Sequence, residues 1–238
     1  MTPIGWPHLH LRSTTSTNDR ARELASSGAP HGTLISTDQQ TAGRGRQGRE
    51  WIASAGSAAL ISLIIRNPPE LLPLIAAVAV AEACGPDAEI KWPNDILLTT
   101  PDNRAGKVAG ILCEGRPQEG WSVVGIGVNV GPDVPELPQA GEVPPATLAL
   151  EPHRRSEVVD CIKRSLGEAL ALPSETILQR WTERDALRGR AIEWQGQDGT
   201  SSGIASGIND RGELLVECSD GEQVALNAGE VHLTGEVS

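Results

Sequence analysis

Phe and Tyr are absent from this 238-residue sequence, so six Trp residues supply its large aromatic side chains. Each Trp therefore contributes more packing area than usual, and we expect a Trp to lie in the core unless it lines a ligand site. No apolar run approaches the roughly 20 residues that span a bilayer, and residues 1–11 lack the charged start of an export signal. We therefore expect a cytoplasmic protein that does not enter a membrane.

Positive charge is scarce as well, since 20 Lys and Arg stand against 31 Asp and Glu, a formal net charge of -11. Such a chain repels phosphate backbones and anionic membranes, so a local basic patch must have a local purpose. The four Cys residues form no C-x-x-C pair, which argues against a structural zinc site and a disulfide framework. The composition is otherwise that of a globular protein with a sizeable core.

Apolar periodicity predicts both buried strands and helices, with helices apolar enough to cover a sheet. A hydroxyl-rich stretch at 13–18 is suited to capping a first helix. The predicted strands are 33–37, 57–65, 89–98, 106–114 and 121–130, and the later helices are 70–84, 155–172 and 174–186. The segment 131–145 is Pro-rich and is expected to cross the surface.

The pattern changes from Gly189 onward to short alternating segments. Asp-Gly and Asn-Asp pairs separate them at close intervals, as in a series of β-hairpins. We therefore expect two domains: a main domain over residues 1–186 and a small β-barrel over residues 187–238.

The stretch Gln40–Trp51 is rich in Gly and Arg. Its glycines allow backbone N–H groups to approach an anion, and its arginines offer forked donors that match carboxylate or phosphate oxygens. A solvated basic loop or an RNA contact would have the same composition, because Gly-Arg runs are common. Three further segments decide between these interpretations of the loop.

Those segments are K-W-P-N-D-I-L-L from Lys91, G-K-V-A-G-I-L from Gly106 and G-I-G-V-N-V from Gly125. The first places a cation, an amide and a carboxylate beside an apolar strand. A strand followed by an ordinary turn, without any binding role, would show the same residues. The second carries one Lys among glycines that permit close approach of a ligand, and the third ends on an amide that needs a partner if it is buried.

These four segments, in this order and with Ser16-Thr17-Asn18 ahead of them, closely resemble the biotin protein ligase family. The resemblance covers residues 12–130 by motif, and the C-terminal segment is similar to that family's small SH3-like barrel. It implies an α+β catalytic domain like that of class II synthetases, in which a mixed, mainly antiparallel sheet packs against helices. It also implies an enzyme that uses ATP and Mg²⁺ to form biotinyl-5'-AMP, with biotin as substrate, and then biotinylates a lysine of a biotin carboxyl carrier protein.

Matched position by position, the resemblance also implies a set of site residues. Lys107, Arg46 and Asp95 would be catalytic, with Asp95 helping the acceptor lysine to lose its proton. The residues expected to hold biotin are Ser16, Thr17, Gln40, Gly43, Arg44, Lys107, Gly110 and Gly125. The residues expected to hold the nucleotide are Arg46, Trp51, Asn94 and Asn129, with Trp51 stacked on adenine. No protein ligand cluster for the metal is expected, because triphosphate and water oxygens would hold Mg²⁺.

Other functions remain open at this point. A lipoate ligase or octanoyl transferase on a related scaffold is the nearest alternative, but those enzymes usually carry adjacent glycines where this chain has Gly43-Arg44-Gly45-Arg46. A non-catalytic RNA-binding module is the alternative from another class, and the acidic total disfavours it. Because the motifs begin so early in the sequence, we expect no DNA-binding domain and no specific DNA binding. A homodimer is possible.

Overall fold

A seven-stranded mixed sheet forms the centre of the molecule. The computed structural model describes residues 3–100, 102–132, 143–196, 199–227 and 231–233. The first two strands are parallel and all other neighbours are antiparallel, in the order β1-β2-β3-β7-β6-β5-β4. The strands are β1 (His8–Leu11), β2 (Leu34–Thr37), β3 (Ala58–Arg66), β4 (Glu89–Lys91), β5 (Asp95–Thr99), β6 (Ala105–Arg116) and β7 (Trp121–Asn129).

Helices cover both faces of this sheet. They are α1 (Thr17–Ser26), α2 (Leu72–Cys84), α3 (Arg155–Ala169) and α4 (Ser174–Thr182). On β3, Ile61, Leu63 and Ile65 belong to the large apolar cluster that contains α2 and α3, whereas Ile64 belongs to a smaller cluster with Ala21 of α1. Because alternate strand residues point to opposite faces, α1 lies on one face of the sheet and α2 and α3 lie on the other.

Five antiparallel strands form a second sheet at the C-terminal end, in the order β11-β10-β9-β8-β12. They are β8 (Ala191–Gly196), β9 (Gly199–Ile208), β10 (Leu214–Cys218), β11 (Gln223–Leu226) and β12 (Val231–Leu233). Their apolar residues join the large cluster of the main sheet, so the two sheets share one core. The predicted α+β fold with a small antiparallel β unit is therefore confirmed. Among the described residues, no helix has the length and apolarity needed to cross a membrane.

Two local predictions were wrong. The single strand predicted at 89–98 is a hairpin of β4 and β5, whose turn contains Trp92 and Pro93. Pro93 cannot donate a ladder hydrogen bond, which explains the break. The hydroxyl-rich stretch does not cap α1 through its own side chains either. Ser16 stands at the N-cap position without a side-chain cap bond, and the N–H of Thr17 donates instead to Oε1 of Gln40 at 2.8 Å.

A Trp was expected to lie in the core because the sequence has no Phe or Tyr. Four of the six Trp side chains are buried in the described core: Trp92, Trp121, Trp181 and Trp194. Trp92 also joins the two sheets, because its Nε1 donates to the carbonyl of Gly212 at 3.1 Å.

Replacing Trp92 by Phe removes this buried donor, and we expect the free energy of unfolding to fall by about 1–3 kcal/mol. Urea unfolding measures this change. Trp6→Phe is the matched control, since Trp6 is 65% exposed, and equal effects of the two changes would contradict the prediction.

Candidate active site

A cleft opens on the face of the sheet that carries α1, beyond the N-terminal end of this helix. Under α1, strand β7 carries the large side chains of Trp121 and Val123. The next two residues on the same face are Gly125 and Gly127, and Gly110 lies beside Gly127 on β6. Because these glycines have no side chains, side chains from neighbouring segments lie directly on them and border a cavity of about 1090 Å³, including its open mouth. A concave site with a few polar groups among apolar walls suits a small-molecule ligand.

One end of the cavity is polar because the start of α1 meets the segment after β2 there. Ser16 and Thr17 line it and are 2% and 4% exposed. Oε1 of Gln40 accepts the backbone N–H of Thr17 at 2.8 Å and lies 3.1 Å from the hydroxyl oxygen of the same residue. The structure therefore brings the three predicted residues Ser16, Thr17 and Gln40 together. Uncompensated N–H groups at a helix N-terminus also favour negatively polarised ligand atoms at this end.

Lys107 reaches the cavity because of a β-bulge between β5 and β6, where the register shifts between Ile96 and Leu97. Strict alternation from Gly110 would place Lys107 on the opposite face. The extra residue changes this, since Val108 and Ala109 both lie in the large apolar cluster and Lys107 turns to the cleft. A β-bulge thus decides which face of the sheet carries this cation.

Two pairs of polar residues stand at the other end of the cavity. Nζ of Lys107 lies 2.8 Å from Oδ1 of Asp95, and the two side chains are 28% and 16% exposed. Arg46 donates to Oδ1 of Asn94 at 3.2 Å, while Nδ2 of Asn94 donates to the carbonyl of Ile111 at 2.8 Å. Lys107 and Arg46 therefore face the same cavity. Asp95 at the start of β5 orients the first, and Asn94 in the preceding turn orients the second.

The Gly-Arg loop folds over the cavity and brings Trp51 into it. A short 3₁₀ turn (Arg46–Gly48) and a bridge between Arg44 and Glu50 shape the loop. The indole lies on the sheet glycines, since a Cβ at Gly127 would be 2.5 Å from its Cε2, and Nζ of Lys107 is 5.7 Å from the ring centroid. Nε1 of Trp51 is buried and has no hydrogen-bond partner among the described residues. Trp51 therefore presents a buried donor inside the cleft.

Three predicted site residues have surroundings that the sequence did not suggest. Arg44 lines the cleft, but its guanidinium already pairs with Asp19 at 2.7 Å and with Glu114 at 2.8 Å. Gly43 lies beside the cavity, where its lack of a side chain lets the backbone of Trp51 pass close by. The amide of Asn129 lines the cavity and donates to the carbonyl of Ala146 at 2.9 Å. These three residues thus have structural partners as well as positions at or near the site.

Sequence reasoning missed several residues that complete the site. Ser62 of β3 and Glu114 of β6 contact the side chain of Asn18 behind the polar end. Pro145, from the end of the segment expected to be a mere surface crossing, lines the cleft, and the backbones of residues 144–146 pair with Lys107. Residues 133–142 of that crossing lie outside the described residues. A Ser inside an otherwise apolar strand was the available signal, because a buried hydroxyl needs a partner.

Nucleophilic cysteine chemistry does not fit the cleft. Burial raises the pKa of the Cys113 thiol to about 12, although the Arg46 charge acts in the opposite direction. A thiol with such a pKa is almost entirely protonated near pH 7 and is a poor nucleophile. Among the described residues, no group of three or more His, Cys, Asp or Glu side chains could hold a metal ion. The cations and hydrogen-bonding side chains that line the cleft suit ligand binding and charge neutralisation.

This fold and this site define a class: an α+β domain with a cationic cleft on its sheet, joined to a small antiparallel β unit. Family models agree with this description. Residues 10–131 match the biotin/lipoate A/B protein ligase family, and residues 189–233 match the biotin protein ligase C terminal domain. The chain belongs to the biotin/lipoate A/B protein ligase family.

Individual relatives support the same conclusion. The biotin--[acetyl-CoA-carboxylase] ligase of Paracoccus denitrificans is 34% identical, over 94% of this chain and 100% of that protein. The bifunctional ligase/repressor of Bacillus subtilis is also 34% identical, over 87% of this chain and 68% of that protein. Among solved structures, the biotin protein ligase of Aquifex aeolicus in complex with biotin and ATP superimposes with a TM-score of 0.76. It is 25% identical, and the match covers 95% of this chain and 97% of that one.

Proposed function

We propose that this chain joins biotin to ATP, forms biotinyl-5'-AMP and transfers the biotinyl group to a lysine of a carboxylase carrier protein. One observation carries the proposal: Arg46 and Lys107 come from separate segments and face one cavity whose opposite end is lined by Ser16, Thr17 and Gln40. A cavity with a buried polar end and a cationic end fits a ligand with a polar ring and a carboxylate. Biotin, which the names of the relatives include, is a ligand of this kind.

The first step brings two anions together, because the biotin carboxylate attacks the α-phosphorus of ATP and pyrophosphate leaves. Catalysis of such a step consists mainly of in-line positioning and charge neutralisation. In this proposal, Lys107 and Arg46 neutralise the carboxylate and the α-phosphate, which is supported by their position on one cavity. Arg44 holds the loop instead, since Asp19 and Glu114 already balance its charge.

ATP is expected to enter as its magnesium complex. Asp95 and Asn94 are the oxygen-bearing side chains nearest the cationic end, and Asp95 is already paired with Lys107. The triphosphate and water would therefore supply most ligands of the metal, which is the usual state of Mg²⁺ at nucleotide sites. In this proposal, the indole of Trp51 stacks on the nucleotide base, which is supported by its position near the cationic end, where Nζ of Lys107 lies 5.7 Å from the ring centroid.

The second step needs a lysine without its proton, and the reference pKa of lysine is about 10.4. Asp95 is the proposed acceptor of that proton. Its pairing with Lys107 at 2.8 Å gives the two steps an order. When the phosphate and the acyl carbonyl oxygen of the adenylate engage Lys107, Asp95 loses its cationic partner and becomes available to the incoming lysine. The deprotonated amine then attacks the acyl carbon, and AMP leaves.

The decisive experiment is biotin-dependent exchange of radiolabelled pyrophosphate into ATP. We expect exchange with biotin and none with lipoate, because the dithiolane ring of lipoate offers no hydrogen bond to Thr17 or Gln40. Transfer of biotin to a carrier domain, followed by mass spectrometry, tests the second step. Exchange with lipoate but not with biotin would favour the lipoate ligase alternative and overturn this proposal.

Further parts of the proposal concern organisation. We divide the chain into a catalytic domain at residues 1–186 and a C-terminal β domain at 187–238, in agreement with the two matched ranges. The site residues predicted from the sequence are retained, with Gly43 and Asn129 as supports of the loop and the strand. A cytoplasmic location fits the need for ATP, and the four cysteines are free. A homodimer and the lack of specific DNA binding stay predictions.

A further inference from the structure

A chain of hydrogen bonds lies behind the polar end of the cavity and reaches it through Thr17. It runs from Glu114 on β6 through Asn18 to Ser62 on β3 and then to Thr17. Neither Glu114 nor Ser62 lines the cavity itself. Ser62 is fully buried, and Thr17 and Asn18 are 4% and 3% exposed. Water therefore does not compete for the bonds among Thr17, Asn18 and Ser62, whereas the Glu114 side chain is 21% exposed. The hydrogens at the three buried side chains must be shared among protein groups.

The amide of Asn18 has one possible orientation. Its Nδ2 donates to Oε2 of Glu114 at 2.9 Å and to the carbonyl of Leu112 at 3.3 Å. Both partners are acceptors only, so the nitrogen must be on their side. Oδ1 of Asn18 then faces Ser62 at 2.6 Å, and an amide oxygen can only accept. The hydroxyl hydrogen of Ser62 is therefore directed to Asn18.

This assignment decides the hydroxyl of Thr17 as well. Oγ of Ser62 and Oγ1 of Thr17 are 2.8 Å apart, and one hydrogen must lie between them. Because Ser62 gives its hydrogen to Asn18, Thr17 donates to Ser62 at 2.8 Å and not to Oε1 of Gln40, which lies farther away at 3.1 Å. Oε1 of Gln40 still receives the backbone N–H of Thr17 at 2.8 Å. Toward the cavity, Oγ1 of Thr17 then offers a lone pair and no hydrogen.

We propose that Ser62 and Glu114 are positioning residues that make Thr17 a hydrogen-bond acceptor and thereby select ligands with an N–H group. The inference rests on the proposed function and deepens it. A cyclic urea such as the ureido ring of biotin carries two N–H donors, whereas a dithiolane or an alkyl chain carries none. A ligand without a donor leaves the lone pair of Thr17 buried and unpaired, which a desolvated polar site penalises strongly.

Glu114 has a second task in the same arrangement. Its other oxygen, Oε1, accepts from Arg44 at 2.8 Å, so one carboxylate ties the Gly-Arg loop to the chain that orients Thr17. Closing the loop and ordering the hydrogens at the polar end are thus linked through Glu114.

Titration calorimetry with the full-length protein, without ATP, tests the inference with two probes: biotin and biotin methylated on a ureido nitrogen. For Ser62→Ala we expect about tenfold weaker biotin binding, because the carbonyl of Asn18 loses its donor and Thr17 can turn. We also expect a smaller preference for biotin over the methylated probe. In a separate kinetic assay, KM for ATP should stay within about twofold of the wild type. Ser62→Cys, with a weak donor of similar size, should restore part of the affinity. Ser36→Ala on the neighbouring strand is the matched control, since Ser36 bonds His8 and His10 away from the cleft.

Glu114→Gln keeps the test decisive if Ser62→Ala does not fold. Its single carbonyl oxygen can serve Asn18 or Arg44 but not both, so biotin binding should again weaken, by about three- to tenfold. Because both residues act through Asn18, the double variant should lose less than the product of the single losses. Three results overturn the inference: unchanged biotin affinity in Ser62→Ala or in Glu114→Gln, equal losses for biotin and the methylated probe, or additive losses. A wild-type protein that binds no biotin would instead overturn the proposed function.

Discussion

Replacing Lys107 by Ala is expected to lower kcat for biotin-dependent pyrophosphate exchange by about 10²–10³-fold. Lys107 is the cation that the bulge of β6 turns into the cleft, and it contacts both Asp95 and the ring of Trp51. The change removes a positive charge from the point where the carboxylate and the α-phosphate meet. It also leaves the Asp95 carboxylate without its partner, which adds repulsion against the incoming anions.

The control for Lys107→Ala is Arg104→Ala, in the turn that joins β5 and β6. Arg104 also pairs with an aspartate, but its side chain is 69% exposed and does not line the cleft. Its loss should leave exchange within about twofold of the wild type, because exposed ion pairs contribute little. Asp95→Asn separates the two steps: exchange should persist while transfer to the carrier slows. A Lys107→Ala protein with near-normal exchange would contradict the assigned role of this residue.

The sequence predicted most of the elements because their patterns are local. Strand β3 is a β-branched apolar run, and α3 has apolar residues at helical spacing, so the local pattern alone predicts the secondary structure of each. The prediction of a single strand at 89–98 was wrong because of a tertiary contact. Its apolar residues continue through the turn, since Trp92 is buried against the second sheet, and the hydrophobic pattern therefore conceals the reversal of the chain.

Candidate site residues could be predicted by motif, but their partners could not. Whether Lys107 faces the cleft depends on a register shift between two strands, and no single-strand pattern reveals it. The pairing of Arg44 with Asp19 and Glu114 joins residues 25 and 70 positions apart. Such contacts follow from the closed fold, so the sequence indicated a cationic loop without indicating which of its charges are already balanced.

Gly125→Ala is the second change with a large expected effect, and it acts through shape alone. The backbone of Gly125 does not have the positive φ that would strain Ala, so the methyl group is tolerated by the strand. The methyl group would instead overlap the amide of Asn18, which lies directly on this glycine. Ser62, Leu112 and Glu114 hold that amide by hydrogen bonds, so it cannot turn away without losing them.

We therefore expect KM for biotin to rise by about 10- to 100-fold in Gly125→Ala, since overpacking a buried site costs about 1–3 kcal/mol. KM for ATP should change much less, because the conflict is at the polar end of the cavity. Gly167→Ala on α3 is the matched control: a Cβ there would meet its nearest atom, Cγ1 of Ile4, at 3.6 Å. Ala is also the better helix former, so this control should be as active as the wild type and slightly more stable. If both variants bound biotin equally well, the amide of Asn18 would be mobile, and a fixed polar end could not be the source of selectivity.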